Sequence, residues 1–350
     1  MTADTILGGK DLLAERVDHQ TASNKTVFDV YAGLIVSGYD LANPDRAGAI
    51  RDTLMAENWN RRTLQYFGFA RLQDGRLNPY WPRASILTSV GLLLSQSLPA
   101  SPLASIRAHL AAMSNVSPAD VDEVMVHWVA DLPSRAELIR SAPVYAKAWE
   151  LYQQVIQREL DEQSLPYQQE IRGAQKRLRQ LLPTPDSPPP QMITIVNPLQ
   201  ADPLADVVSV HDRVYVITSH LRSDSYIHEL IHVLLDPWLR RWQTRISHSA
   251  ELLDLVYEPM KHIGYAWDHS AASWVNVFSE TLVRLLTIIV TDDEGSIRPS
   301  QIDALAQQGF TYARPISETI AALNHRRTVS DAWLESCLVA CSKWKRQADL

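Results

Sequence analysis

Most of the chain shows the three- and four-residue spacing of apolar positions that is typical of amphipathic helices. In the first half of the chain this spacing predicts helices over residues 145–163 and 168–182, and residues 27–39 could be helix or strand, with a helix favoured. Helix-start signals occur at Ser117, which precedes a proline, and at Ser134, which has a glutamate three residues later. The proline-rich stretch at residues 183–191 cannot continue a helix and predicts an extended spacer. Residues 1–182 are therefore predicted to be a helical N-terminal region.

The two strongest strand patterns lie just beyond the spacer. Residues 192–196 and 213–218 are runs rich in β-branched and aromatic side chains. From residue 271 onwards the pattern is helical again, with Gly309 ending one helix and Ser330 beginning the last. The sequence therefore predicts an α+β fold that is mainly α, in which residues 192–350 form a second region that contains a small sheet.

The clearest chemical signal in the chain is an H-E-x-x-H motif formed by His228, Glu229 and His232. On a helix, positions i and i+4 share one face, so both imidazoles can reach a single metal ion. Glu229 lies beside the first histidine, where its carboxylate can address a metal-bound water rather than the metal. Neutral imidazole is a preferred ligand of zinc, so the motif predicts a catalytic zinc site.

The surroundings of the motif predict a short helix that follows the second strand. A polar stretch leads to Ser223 and Asp224, either of which can cap a helix, and an apolar run follows. The pair Asp236-Pro237 predicts the end of this helix, because the residue before a proline avoids the α region. A buried trio of two histidines and a glutamate needs partners, and a metal ion satisfies all three groups. The alternative interpretation is a solvated helix face.

A catalytic zinc site has three protein ligands and one open position, and two glutamates compete to be the third ligand. Glu251 lies 19 residues beyond His232, in a pattern that predicts an amphipathic helix with an ordinary polar face. Glu280 lies 48 residues beyond His232, in the nearly all-apolar run 271–290, where Arg284 follows it by one helical turn. A buried carboxylate needs a cation, so Glu280 is favoured, and a structural Glu280–Arg284 ion pair is the alternative to a metal.

Together, the motif and a glutamate on a later helix resemble the zincin metallopeptidases, and in particular their gluzincin branch. The matching residues are His228, Glu229 and His232, followed by Glu280, and the resemblance covers about residues 193–290. More loosely, the whole chain resembles bacterial predicted zinc proteases. The resemblance implies a zincin-like fold and hydrolysis of peptide bonds. It also implies one Zn²⁺ ion held by the two histidines and Glu280, with Glu229 as the general base.

Further candidates for the site lie on either side of the motif. Four ring-bearing side chains before Glu280 are candidates for the wall of a substrate cleft, with packing or surface positions as the alternative: Tyr257, His262, Tyr265 and His269. The strand at residues 213–218 is a candidate for pairing with an extended substrate, unless the protein's own loops cover its edge.

Composition and charge exclude several classes of partner. The 350 residues are 46% hydrophobic and carry a formal net charge of −7, so the chain can build a core but lacks the basic surface that favours nucleic acid or anionic membrane. The first 15 residues lack the apolar core of a signal peptide, and the apolar runs are short for a membrane span. We expect a cytoplasmic location and a peptide or protein substrate. Cys337 and Cys341 are predicted to be buried, reduced thiols.

Two other classes of function use the same residues. A zinc hydrolase of a non-peptide amide or ester would need every residue named for the peptidase. A non-catalytic helical scaffold or partner-binding protein would have no use for the Glu229 carboxylate, so the replacement of Glu229 separates such a protein from an enzyme.

Overall fold

The computed structural model describes residues 24–68, 83–96, 101–114, 117–182, 190–202, 205–292, 296–321 and 329–348. This part of the chain is mainly helical and contains a small sheet, which confirms the α+β, mainly α class predicted from the sequence. The N-terminal 15-residue segment and most of the predicted spacer at residues 183–191 lie outside the described residues.

Fourteen α-helices occur in the described part of the chain. In the first half they are α1 Lys25–Val36, α2 Pro44–Met55, α3 Arg61–Phe67, α4 Arg83–Gln96, α5 Pro102–Ser114, α6 Glu123–Ala130, α7 Leu132–Arg140 and α8 Tyr145–Leu181. In the second half they are α9 Ser223–Ser247, α10 Tyr257–His262, α11 Ala271–Thr291, α12 Pro299–Gln307, α13 Ala313–Ala321 and α14 Asp331–Ala348. Two short 3-10 helices add Pro118–Asp120 and Ala250–Leu255.

The sheet has three strands, β1 Gln191–Val196, β2 Ala205–Val210 and β3 Arg213–Thr218, in the order β1-β3-β2. Strand β3 pairs in parallel with β1 and antiparallel with β2. Both predicted strands are confirmed, whereas β2 was missed because its mixed polar and apolar residues give a weak pattern. The expectation that residues 213–218 pair with a substrate is wrong, since β3 is the central strand and both of its edges are already paired.

The helix predictions succeeded where the apolar pattern was long and failed at prolines and caps. Helix α1 confirms the first predicted helix, but the two helices predicted at 145–163 and 168–182 are one helix, α8, that continues through Pro166. Ser117 accepts a hydrogen bond from the amide of residue 119, yet it begins only a single 3-10 turn. Ser134 does not cap a helix, because α7 already begins at Leu132 and includes a proline in its first turn.

The predicted helix boundaries in the last part of the chain are confirmed. Helix α12 ends at Gln307, and Gly309 follows with a φ of 104°, which glycine adopts at little cost. A Cβ at Gly309 would also lie 2.5 Å from Cε of Met260 and 2.9 Å from Cβ of Pro259, so a side chain here would force these neighbours to shift. Ser330 accepts a hydrogen bond from the amide of Trp333 and begins α14. Cys337 and Cys341 on α14 are buried and free, as predicted.

The described residues form two compact units. The first comprises the chain up to Leu165 together with Pro190–Arg222, and the second comprises Pro166–Pro189 and Ser223–Leu350. This grouping places the sheet with the N-terminal helices, whereas the sequence-based division placed it with the H-E-x-x-H helix. The division into independently folding domains stays a prediction.

In the first unit, helix α1 forms the centre of the helical layer. Asn24 caps α1 by accepting a hydrogen bond from the amide of Val27, and the residues from Val27 to Val36 are all buried. Helices α2, α4 and α7 pack around α1, and α4 also packs on β2. From Val27 to Val36 the only charged residue is Asp29, because this part of the helix has no face toward solvent.

In the second unit, helix α11 has the same central position. Ser270 caps its first turn, and α9, α13 and the 3-10 helix Ala250–Leu255 pack against it. Helix α11 is the one helix of the described residues that is long and apolar enough to cross a membrane, with a mean hydropathy of 1.4. However, 61% of that stretch is buried inside the protein, as in the core helix of a globular unit.

Helix α9, which carries the H-E-x-x-H motif, is longer than predicted. It does not end at Asp236 but continues through Pro237 to Ser247. A proline inside a helix costs about 3 kcal/mol, because it removes a backbone donor and crowds the preceding turn. The residues beyond it include Trp238, Leu239 and Ile246, which are buried. Their burial offsets the cost of the proline and extends the helix.

Candidate metal centre

Helix α9 presents both motif histidines on one face, as their four-residue spacing requires. The ring centroids of His228 and His232 lie 5.0 Å apart in an edge-to-face arrangement. Both side chains are partly exposed, whereas Leu230 and Ile231 between them are buried. The apolar side of α9 therefore anchors the helix in the second unit and leaves the two imidazoles accessible.

Helix α11 brings Glu280, which is only 5% exposed, to the two histidines. Its Oε2 atom lies 3.2 Å from Nε2 of His232, and its Oε1 atom lies 3.5 Å from Nε2 of His228. One ligand atom from each of the three residues lies within 4.8 Å of the other two. Within the described ranges, this triad is the one group of three or more such residues that is close enough to hold a metal ion.

The distances within the triad fit a zinc ion. Four donors at about 2.1 Å from a tetrahedral zinc lie about 3.4 Å from each other. Each oxygen of Glu280 lies at about this distance from one imidazole nitrogen, Oε1 at 3.5 Å from His228 and Oε2 at 3.2 Å from His232. Two imidazole nitrogens and one carboxylate are also a donor set that zinc accepts in catalytic sites. Moreover, Oε1 of Glu280 is buried without an aligned hydrogen bond, so the protein alone does not satisfy this carboxylate. The residues present therefore fit a zinc ion.

The competing glutamate is not part of this group. Glu251 lies in the 3-10 helix Ala250–Leu255, and it is exposed. The ammonium group of Lys345 donates a hydrogen bond to the backbone carbonyl of Glu251. Of the two glutamates weighed from the sequence, Glu280 is therefore the one that faces the histidines.

Arg284 lies one turn beyond Glu280 on α11, as expected, and its Nε atom is 2.8 Å from Oε1 of Glu280. Its Nη2 atom donates a hydrogen bond of 2.9 Å to the phenolic oxygen of Tyr265. The guanidinium carbon also lies 4.5 Å from the centroid of the Phe310 ring. Arg284 thus supplies positive charge to Glu280 while two aromatic side chains fix its position.

Asp236 is a site residue that the sequence reasoning missed. Its Oδ1 atom lies 3.3 Å from Nδ1 of His232, the nitrogen that faces away from Glu280. A carboxylate on the second nitrogen of a ligand histidine fixes the ring orientation and its tautomer. The signal was available, because Asp236 is four residues beyond His232. In the sequence, however, the proline after Asp236 indicates the end of the helix.

Glu229 has the surroundings expected of a proton-transfer group. Among the described residues, its carboxylate makes no hydrogen bond or ion pair, although its charge interacts with those of His228, His232, Glu280 and Asp236. Burial raises the pKa of Glu229, and this effect outweighs the opposing influence of the two histidines. A raised pKa brings a carboxylate closer to the range in which it can both accept and return a proton.

Burial shifts the pKa values of two members of the triad, Glu280 and His232, in opposite directions. Burial alone raises the pKa of Glu280, but its contacts with His228 and His232 and the charge of Arg284 hold its pKa well below the usual range. Burial lowers the pKa of His232, yet the hydrogen bonds to Asp236 and Glu280 dominate and raise this pKa to about 10. His232 therefore lies between two carboxylates that favour its protonated form, and a metal ion that binds Nε2 would compete with the proton there.

Of the four ring-bearing candidates for a cleft wall, the structure brings Tyr265 into the site through its bond to Arg284. Tyr257 and His269 instead stack on each other, with their ring centroids 3.6 Å apart. His262 is the exposed last residue of α10. Nothing in the sequence distinguishes Tyr265 from the other three, because its contact with α11 is tertiary.

No protein-family model, curated protein or solved structure matches the chain. The fold and the site geometry therefore carry the functional argument.

Proposed function

We propose that the protein is a zinc-dependent peptidase of the gluzincin type, with a zincin-like catalytic core and one zinc ion held by His228, His232 and Glu280. The observation that carries this proposal is the convergence of two imidazoles and a buried carboxylate from two separate helices. Glu229, which makes no hydrogen bond or ion pair within the described ranges, adjoins the first ligand on the same helix. This combination supports a catalytic centre, because a structural zinc site needs a fourth protein ligand and no free carboxylate.

When bound, zinc would supply Lewis acidity, which lowers the pKa of water toward neutrality and polarises a carbonyl oxygen. Glu229 accepts the proton of the water molecule that attacks the peptide carbonyl. The same carboxylate then delivers this proton to the leaving amine, so that the glutamate ends the cycle ionised as it began. Asp236 and Arg284 orient His232 and Glu280, and neither exchanges a proton with the substrate.

The direct test is digestion of a peptide library, with cleavage detected by mass spectrometry, by the wild-type protein and by Glu229→Gln. We expect the wild type to cleave peptides and Glu229→Gln to lose cleavage by several orders of magnitude while it retains zinc, because the substitution removes the base and leaves the ligands. Glu251→Gln is the matched control and should retain full activity, since Glu251 is exposed and lies outside the triad.

Two outcomes would contradict the proposal. Full cleavage by Glu229→Gln would show that Glu229 is not the base. Zinc-loaded wild type that cleaves no peptide but hydrolyses small amides or esters would assign the same site to a different class of substrate.

A further inference from the structure

We propose that Arg284 is a positioning residue that makes Glu280 bind the metal through one oxygen only and thereby keeps the zinc four-coordinate. This inference rests on the proposed zinc site and extends it to the coordination number. Glutamate can bind a metal through one or both oxygens, and the choice decides whether a position stays open for water and substrate.

The two oxygens of Glu280 have different neighbours. Oε1 lies 2.8 Å from Nε of Arg284 and 3.5 Å from Nε2 of His228, whereas Oε2 lies 3.2 Å from Nε2 of His232. A divalent cation on Oε1 would lie next to the guanidinium charge, and the two like charges would repel each other. Within the described part of the chain, Oε2 faces the His232 nitrogen, a ligand atom that gives up its proton to a metal, and it has no arginine or lysine contact. The charge distribution therefore directs the metal to Oε2 and reserves Oε1 for Arg284.

Arg284 is held in place by groups that do not belong to the triad. Its Nη2 atom donates to the Tyr265 hydroxyl at 2.9 Å, and its guanidinium lies over the Phe310 ring at 4.5 Å. Tyr265 is itself fixed, because its backbone carbonyl accepts a hydrogen bond of 2.9 Å from Asn276 on α11. The rings of Tyr265 and Phe310 also contact each other edge to face, with centroids 5.5 Å apart. A guanidinium fixed in this way cannot easily move away from Oε1 when a metal binds.

The test replaces zinc by Co²⁺, whose visible absorption bands are intense in four-coordinate sites and weak in five- and six-coordinate sites. We expect the cobalt-loaded wild type to show the intense bands. Arg284→Met should show weaker bands, because Glu280 then binds with both oxygens, and its cobalt affinity should fall by about 10- to 100-fold, as for the loss of other outer partners. Arg245→Met is the matched control, since Arg245 lies on α9 in an exposed ion pair with Glu335.

A second variant, Arg284→Lys, keeps the charge and guards against misfolding of the methionine variant. Lysine lacks the planar fork that reaches Glu280 and Tyr265 together, so we expect a smaller change of the bands in the same direction. Intense bands in the wild type that persist unchanged in both Arg284 variants would overturn the role of Arg284 and leave the zinc peptidase standing. A wild type that binds no cobalt or zinc would overturn both proposals.

Discussion

Glu280 in the second unit and Asp29 in the first are both buried carboxylates, and each contacts an arginine. Asp29 is 1% exposed, and its Oδ2 atom accepts a 2.8 Å hydrogen bond from Nε of Arg140. Its Oδ1 atom accepts a 2.6 Å hydrogen bond from the hydroxyl of Tyr145. Both oxygens of Asp29 therefore have aligned donors, and the cluster needs no further cation.

Glu280 differs in what lies on its other side. Besides Arg284 it faces the imidazoles of His228 and His232, and its Oε1 atom is buried without an aligned hydrogen bond. The contact of Asp29 with Arg140 is an example of a purely structural ion pair in this protein. Such an ion pair, between Glu280 and Arg284, is also the alternative to a metal site that the sequence left open. An arginine neighbour alone therefore does not distinguish a metal ligand from a structural ion pair. The proposal that Glu280 binds a metal rests instead on its unsatisfied oxygen and the two imidazoles beside it.

The largest expected difference between the two carboxylates is in metal affinity. Glu280→Gln should weaken zinc binding by more than the roughly 100-fold that marks the upper end for an outer partner, because it weakens one of only three ligands. Asp29→Asn should leave zinc affinity unchanged. Competition titration with a zinc-sensitive chelating dye measures both constants. Equal zinc affinities of Glu280→Gln and Asp29→Asn would show that Glu280 is no more involved in metal binding than Asp29.

Chelation of zinc should destabilise the protein only where the triad is intact. At free zinc 100 times above its Kd, binding stabilises the native state by about 2.7 kcal/mol, and this contribution disappears when a chelator removes the ion. The chelator should lower the melting temperature of the wild type and of Asp29→Asn in thermal unfolding. It should leave the melting temperature of Glu280→Gln unchanged. A wild-type melting temperature that is identical with and without chelator would argue against a native metal.

The carboxylate behind His232 should have a smaller effect. Asp236→Asn should weaken zinc binding by about 10-fold, because the amide still orients the ring but no longer carries the charge that raises the basicity of the imidazole. Asp254→Asn is the control on an exposed aspartate of the same unit. The same dye competition measures the zinc dissociation constants of both variants. Identical constants would show that the contact between Asp236 and His232 has no influence on metal binding.

The smallest effect concerns Asp206, a carboxylate whose hydrogen-bond donors, Tyr31 and Ser85, are both neutral hydroxyls. Burial raises the pKa of Asp206 despite these two hydrogen bonds. A raised pKa in the folded state means that the protonated form stabilises the fold at low pH and that this stability is lost as the pH rises through the folded pKa.

Asp206→Asn should therefore be more stable than wild type at neutral pH, by on the order of 1 kcal/mol, and the gain should vanish near pH 4. Urea unfolding over a pH series measures this difference. Asp52→Asn, on an exposed position of α2, should show no such trend. If the free energies of unfolding of Asp206→Asn and wild type differed by the same amount at all pH values, the pKa of Asp206 would not be raised in the folded state.

The sequence could predict those parts of the fold and the site that depend on local spacing. The four-residue step between His228 and His232 dictates a shared helix face, and the all-apolar run around Glu280 indicates burial. These two patterns were sufficient to single out three residues that lie together in the structure. The coarse fold class followed from the same periodicities.

What the sequence could not predict depends on contacts between distant segments. The order of the sheet, with β3 in the centre, is set by pairing and packing that no single strand encodes. Pro166 and Pro237 look like helix ends locally, but burial of the residues beyond Pro237 outweighs the local cost. Likewise, the contacts of Tyr265 and Phe310 with Arg284 join segments that lie 19 and 26 residues from it in the chain.

The most direct test of the central claim is the metal content of the protein purified without a metal-affinity tag, measured by inductively coupled plasma mass spectrometry. The account predicts about one zinc per chain in the wild type and a loss of that zinc in His232→Ala, because the triad supplies all the protein ligands. His262→Ala, at an exposed histidine of the same unit, should retain the full amount. A wild type without zinc, or a His232→Ala protein that keeps it, would contradict the claim that these three residues form a zinc centre.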